Sequence, residues 1–172
     1  MIILRKKAAS VSPSLIPGTI FQFVGLSINA GSAANVTNGS GLTPATPALT
    51  GVHANYTTSN GVQSANTPVY PVSLLFTFPN IYWVTGMSFW QVTGTPSGNG
   101  IRSVSIQSSL DNSSWISAPN GSLEFPFGGS IPSNPIVISW APVQARFIRF
   151  LVNSVWGGTR VNLSEVQFAG YL

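Results

Sequence analysis

Residues 145–172 read ARFIRFLVNSVWGGTRVNLSEVQFAGYL, and the architecture is most legible in this closing stretch. Two apolar, strand-like runs, Phe147–Val152 and Val161–Ala169, flank a turn-forming insert from Asn153 to Thr159. The second run contains Leu163-Ser-Glu165-Val-Gln-Phe168, which sets a carboxylate between apolar neighbours in a chain with only three acidic residues. A carboxylate in such surroundings needs N–H donors or a cation beside it. Glu165 is therefore either a tie to a neighbouring loop or a metal ligand.

Upstream, apolar runs recur between turns: Thr19–Ile28, Val72–Phe78, Trp83–Val92, Gly100–Ser109, Trp115–Ala118 and Ile136–Trp140. With the two closing runs they make eight short strand candidates. No helical periodicity is sustained anywhere, and 13 Pro and 17 Gly spread along the chain leave no room for long helices. The pattern predicts an all-β fold, an antiparallel eight-stranded jelly-roll sandwich. Asp111-Asn-Ser-Ser114 reads as a hairpin turn ahead of Trp115. Residues 29–71 are polar and read as one long loop, of the kind that carries function.

Composition narrows the function. The chain has 172 residues, enough for one domain with a full core. Charged residues make up 6%, yet 44% of the chain is hydrophobic, with five Trp and ten Phe. That excludes disorder, and no apolar run approaches the roughly 20 residues of a membrane span, so no membrane insertion is expected. No basic patch with interleaved aromatics points to nucleic acid. The absence of Cys removes disulfides, thiolate metal sites and Cys nucleophiles. One His, one Asp and two Glu leave little for acid–base chemistry, so no enzyme is expected.

Of the net charge of +4, three positive charges sit together in Arg5, Lys6 and Lys7. They form either a solvated tail or an arm that docks on an acidic neighbour. Pro13 and Pro17-Gly18 set residues 1–18 apart as a basic N-terminal arm before a sandwich over 19–172. No signal peptide precedes the basic residues, so synthesis in a cytoplasm without export is expected.

Several segments together resemble the discoidin (coagulation-factor type C) domain, one of the galactose-binding-like sandwiches. They are Ser27–Asn35, Thr37-Asn38-Gly39-Ser40-Gly41-Leu42-Thr43, Leu74–Phe78, Val84–Trp90, Val104–Ser109, Asp111–Trp115, Arg146–Arg149 and Leu163–Phe168. The resemblance covers roughly residues 20–172. It implies a jelly roll whose loops at one end bind sugars, lipid head groups or protein partners. It also implies a calcium ion between the early loop and the late Glu, here Asn38, Ser40, Thr43 and Glu165. Asn38 stands where the family has Asp, which weakens a hard-cation site. The other reading has Glu165 accepting hydrogen bonds from backbone N–H groups of the Asn38–Thr43 loop.

A sugar site needs aromatic faces with polar donors around them. His53, Asn55 and Tyr56 in the early loop, and Trp156 and Arg160 between the last two strands, are the candidate ligand-binding residues. Two functions follow. The first is a bacteriophage virion structural protein (head decoration, fibre or tail accessory), folded in the host cytoplasm and held in a homo-oligomer or lattice of other virion proteins by its N-terminal arm. The alternative is a carbohydrate-binding module or receptor-binding tip that recognises cell-surface glycans.

Overall fold

The computed structural model describes residues 12–172. Its strands are β1 (Ser14–Leu15), β2 (Ile20–Val24), β3 (Ile28–Gly31), β4 (Leu42–Thr43), β5 (Val52–His53), β6 (Val62–Ser64), β7 (Val72–Trp90), β8 (Ile101–Ser109), β9 (Ile116–Glu124), β10 (Ile136–Val155), β11 (Asn162–Leu163) and β12 (Glu165–Tyr171). Among the described residues helix is confined to two short 3₁₀ turns, Ala33–Val36 and Ser97–Asn99. No helix among the described residues is long and apolar enough to cross a membrane. The fold is the expected all-β antiparallel jelly-roll sandwich.

Two long strands make the sandwich. β7 joins the two runs read separately as Val72–Phe78 and Trp83–Val92, and β10 joins Ile136–Trp140 to Phe147–Val152. Their pairing shifts register between Ala145 and Phe147, opposite the Pro79-Asn80-Ile81 stretch of β7. Proline has no N–H for the ladder, so an interruption falls there naturally. On one side of it, Ser73–Thr77 pairs with β2, and β8 and β9 extend the sheet beyond Phe147–Val155. On the other, Trp83–Trp90 pairs with β12, and β12 with β1. Each long strand thus serves both layers.

The layers meet through aromatic side chains. Phe76 of the first lies 5.1 Å from Phe168 of the second, edge to face, and Phe76 also contacts Phe150 at 4.9 Å. Phe89 stacks on Phe125 at 4.0 Å. All five are buried.

Three expectations change. The run Val161–Ala169 is divided at Ser164: β11 pairs with β6 of a small second sheet, while β12 pairs with β7. Residues 29–71 hold four short strands rather than one open loop, because β6 completes a sheet with β3 and β11, and β4 pairs with β5. The stretch 1–18 is not an arm throughout. Ser14 and Leu15 pair with Gly170 and Ala169, and the Ile16 side chain is buried, so the sandwich begins five residues before the expected boundary.

Candidate functional site

β8 begins opposite Val155 and ends opposite Phe147, which defines two ends of the sandwich. At the Ile101 end four loops converge. Tyr56 donates its amide to the Thr93 carbonyl, and Gly94 donates its amide to Gly129. Asn55 Nδ2 donates to the Ser130 carbonyl, while Asn55 Oδ1 accepts from the Thr93 hydroxyl. Trp156 donates its amide to Gly100, and Gly158 its amide to Gly98. The early loop and the loop before β11 thus meet at this end, bridged by residues 91–100 and 126–133.

The five candidate ligand residues separate on burial. His53 is fully buried and Tyr56 nearly so, and neither presents a face to solvent. His53 Nδ1 lies 2.7 Å from the Ala54 carbonyl, which can only accept, so Nδ1 carries the proton. Burial pushes this imidazole below its ordinary range, against the carbonyls of Ala54, Ser40 and Asn60 that would favour its charge. Burial likewise pushes the Tyr56 phenol up to about 12, opposed by the Arg160 charge. These two side chains brace the loops from within, which corrects their reading as ligand contacts. Asn55 is exposed, and Trp156 and Arg160 are half-buried.

The exposed chemistry of this end gathers around Trp156. Its indole donates to the Phe125 carbonyl at 3.2 Å, which fixes the ring. Phe127, 52% exposed, meets it edge-on at 5.9 Å. The Arg102 guanidinium lies 4.8 Å from the Trp156 ring centroid, and Arg102 Nε donates to Glu124 at 2.6 Å. Arg160 donates from Nη1 to Gln63, and its amide to Asn99 Oδ1. Phe127, Arg102 and Asn99 escaped the sequence reading. The signal for Asn99 was the Pro96-Ser-Gly-Asn-Gly100 turn immediately before a strand, while nothing in the sequence singles out Phe127 among ten Phe.

Among the four metal candidates, the Glu165 carboxylate is already met by N–H donors. Gly39 donates its amide to both Glu165 oxygens at 3.1 Å, and Gln167 Nε2 donates to Oε1 at 3.0 Å. Asn38 Oδ1 is taken by the Ser40 amide. Asn38 and Thr43 are exposed, whereas Glu165 is fully buried. Calcium takes about six to eight oxygens, and here N–H groups face the one carboxylate. No cluster of three or more His, Asp or Glu side chains suited to a metal occurs among the described residues. Burial pushes the Glu165 carboxyl up to about 7, although the Gln167 and Gly39 bonds pull it down. Arg5, Lys6 and Lys7 lie outside the described residues.

No protein-family model matches the chain, and no curated protein sequence matches it. Solved structures do. One is the CBM32-5 module of a Clostridium perfringens family 89 glycoside hydrolase, in complex with GalNAc-β-1,3-galactose. It has a TM-score of 0.64 at 14% identity, over 90% of this chain and 99% of that one. CBM32-1 from a Clostridium perfringens family 31 glycoside hydrolase gives 0.63 at 12% identity, over 92% and 96%. The family 32 module of Clostridium perfringens NanJ, in complex with galactose, gives 0.56 at 13%, over 91% and 98%. At such identities what is shared is the fold.

Proposed function

We propose that this chain is a non-catalytic glycan-binding module that takes its ligand at the Ile101 end of the sandwich. The observation that carries the reading is the exposed Phe127 ring set edge-on to a fixed Trp156 under the Arg102 guanidinium. Such a corner offers an apolar face for the C–H side of a sugar ring and cationic donors for its hydroxyls. Arg160 and the exposed Asn55 stand on the adjoining loops. The matched modules, two of them in complex with galactose-containing sugars, support the same class of ligand.

The carboxylates support a non-catalytic role. Asp111 follows the far end of β8, Glu124 is paired to Arg102 near its start, and Glu165 is buried. No two face one another across a cleft as glycoside hydrolysis requires. The virion reading drew its anchoring from the basic arm. Its cluster lies outside the described residues, Ser14–Leu15 belong to the sandwich, and the structures matched above are carbohydrate-binding modules. Glycan binding is the reading the geometry favours.

A glycan array probed with the purified chain tests it. Binding to a defined subset of glycans, competed by the free sugar and weakened by Phe127→Ala, is expected. Failure to bind any glycan, or binding indifferent to Phe127 and Trp156, would overturn it.

A further inference from the structure

The opposite end of the sandwich carries a concavity of about 420 Å³. It lies where the β8–β9 hairpin faces the strand pair Trp83–Gln144, just past the register shift of β7 and β10. Trp83, Leu110, Ile116 and Val143 give it apolar walls, and Ser108 and Asp111 also line it. Trp83, Leu110 and Ile116 are 39%, 50% and 60% exposed, a concentration of apolar surface that the fold does not cover.

Trp83 differs from the other four tryptophans. The indoles of Trp90, Trp140 and Trp156 donate to the carbonyls of Gly51, Val84 and Phe125, and the Trp115 ring lies 4.1 Å under Arg149. Among the described residues Trp83 has no hydrogen-bond partner for its indole and no cation on its ring. An aromatic face and an N–H donor are therefore both free at one rim of the concavity. Ser108 supplies a second independent observation. Its side chain is fully buried in the lining, and its Oγ has no hydrogen-bond partner. A buried hydroxyl is ordinarily satisfied, and rotation of the Ser108 side chain toward the concavity would offer its hydroxyl to an incoming polar group.

Asp111 completes the set. Its Oδ1 accepts from the Ser109 hydroxyl and from the amides of Ser113 and Ser114, which fixes the carboxylate in the turn. Oδ2 takes none of these bonds and remains an acceptor. One apolar face, a free donor, a free acceptor and an unpaired hydroxyl match a ring with one C–H face and several hydroxyl groups.

We infer that this concavity is a second sugar-binding site, in which a pyranose lies on Trp83 and its hydroxyls are held by Asp111 Oδ2 and Ser108 Oγ. The inference takes the ligand class from the proposed function but uses none of its residues. The nine residues of β8 separate the two ends by about 26 Å. One module would therefore hold two glycan chains at once and cross-link the surfaces that bear them.

Nitrogen-resolved NMR of the five indole N–H signals, each assigned by a Trp→Phe variant, tests this with methyl galactoside, methyl glucoside and methyl N-acetylglucosaminide as probes. A saturable shift of the Trp83 signal is expected for at least one probe, in the wild type and equally in Phe127→Ala. Asp111→Asn keeps the Oδ1 acceptor of the turn but removes the charge, and should weaken that shift roughly tenfold, the loss of one charge-assisted hydrogen bond. Unmoved signals from Trp90 and Trp140 would show that the variant is folded. Shifts at Trp156 alone overturn the second site and leave the loop-end reading standing. Shifts at neither ring overturn both.

Discussion

Gly39 donates its amide N–H to both carboxylate oxygens of Glu165, each at 3.1 Å, and so ties two positions 126 residues apart. Gln167, on the same strand as Glu165, reaches the same Oε1 and also accepts from the Leu49 amide. The last strand is thereby fastened to the 38–49 loop at two points. Because the tie is buried, removing one partner strands the other. Glu165→Ala should destabilise the fold by roughly 1–3 kcal/mol, the cost of an orphaned buried donor, and a thermal melt will show it.

The same carboxyl makes stability depend on pH. Burial raises its pKa from 4.5 to about 7, so the folded state binds the proton more tightly than the unfolded chain. The contribution is fully present below pH 4.5 and is lost as pH rises through 7, with a ceiling of about 3 kcal/mol. His53 acts in the opposite sense. Its folded pKa lies below 6.5, so its contribution is present above that pH and lost as pH falls through the folded pKa. The two windows overlap, and Glu165→Gln separates them. Urea melts should show wild type losing stability relative to this variant as pH rises from about 4.5 to about 8. A pH-independent difference would mean that Glu165 is already ionised in the folded protein.

Calcium should have no effect on the melt. The Asn38–Thr43 loop turns an N–H toward Glu165 where a hard cation would need oxygens. Excess calcium and chelator are therefore expected to give the same Tm. A rise with calcium that the chelator reverses, and that Glu165→Gln abolishes, would restore the metal reading.

Phe168 is the centre of the contact between layers, within 5.1 Å of Phe76 and 5.3 Å of Phe78. It is fully buried between strands that cannot close over a void. Phe168→Ala should cost roughly 3–5 kcal/mol in chemical denaturation. A cost below about 1 kcal/mol, the scale of an ordinary point substitution, would place the junction elsewhere.

The strands and the Glu165 tie could be read from the sequence because both rest on local signals: alternation along a run, and a carboxylate stranded among apolar residues. The two-layer role of β7 and β10 could not. Pro79 and Pro142 look like strand ends in one dimension, and only the partners on each side show that the strands continue. Two of the five ligand candidates, His53 and Tyr56, were misplaced for a similar reason. His53 and Asn55 are two residues apart, yet one is sealed in and the other exposed, because β5 points His53 inward as it pairs with Leu42. Phe127 went unseen because ten Phe in one chain give no clue to which one the fold leaves outside.

That exposed ring yields the sharpest test of the loop-end site. Phe127 is 52% exposed and makes its aromatic contact with Trp156 alone, so Phe127→Ala should leave the melt within about 0.5–1 kcal/mol of wild type. Its loss removes one side of the aromatic corner, and sugar affinity should fall by roughly tenfold, the scale of one stacking contact. Trp156→Ala behaves differently. It removes the platform together with the bond to Phe125 and the support beneath Arg102, so both affinity and stability should drop. Calorimetric titration paired with thermal melts of the two variants separates these effects. If Phe127→Ala binds as tightly as wild type while Trp156→Ala loses binding only in proportion to its lost stability, then Trp156 merely closes the end of the sandwich and the corner is not the ligand site.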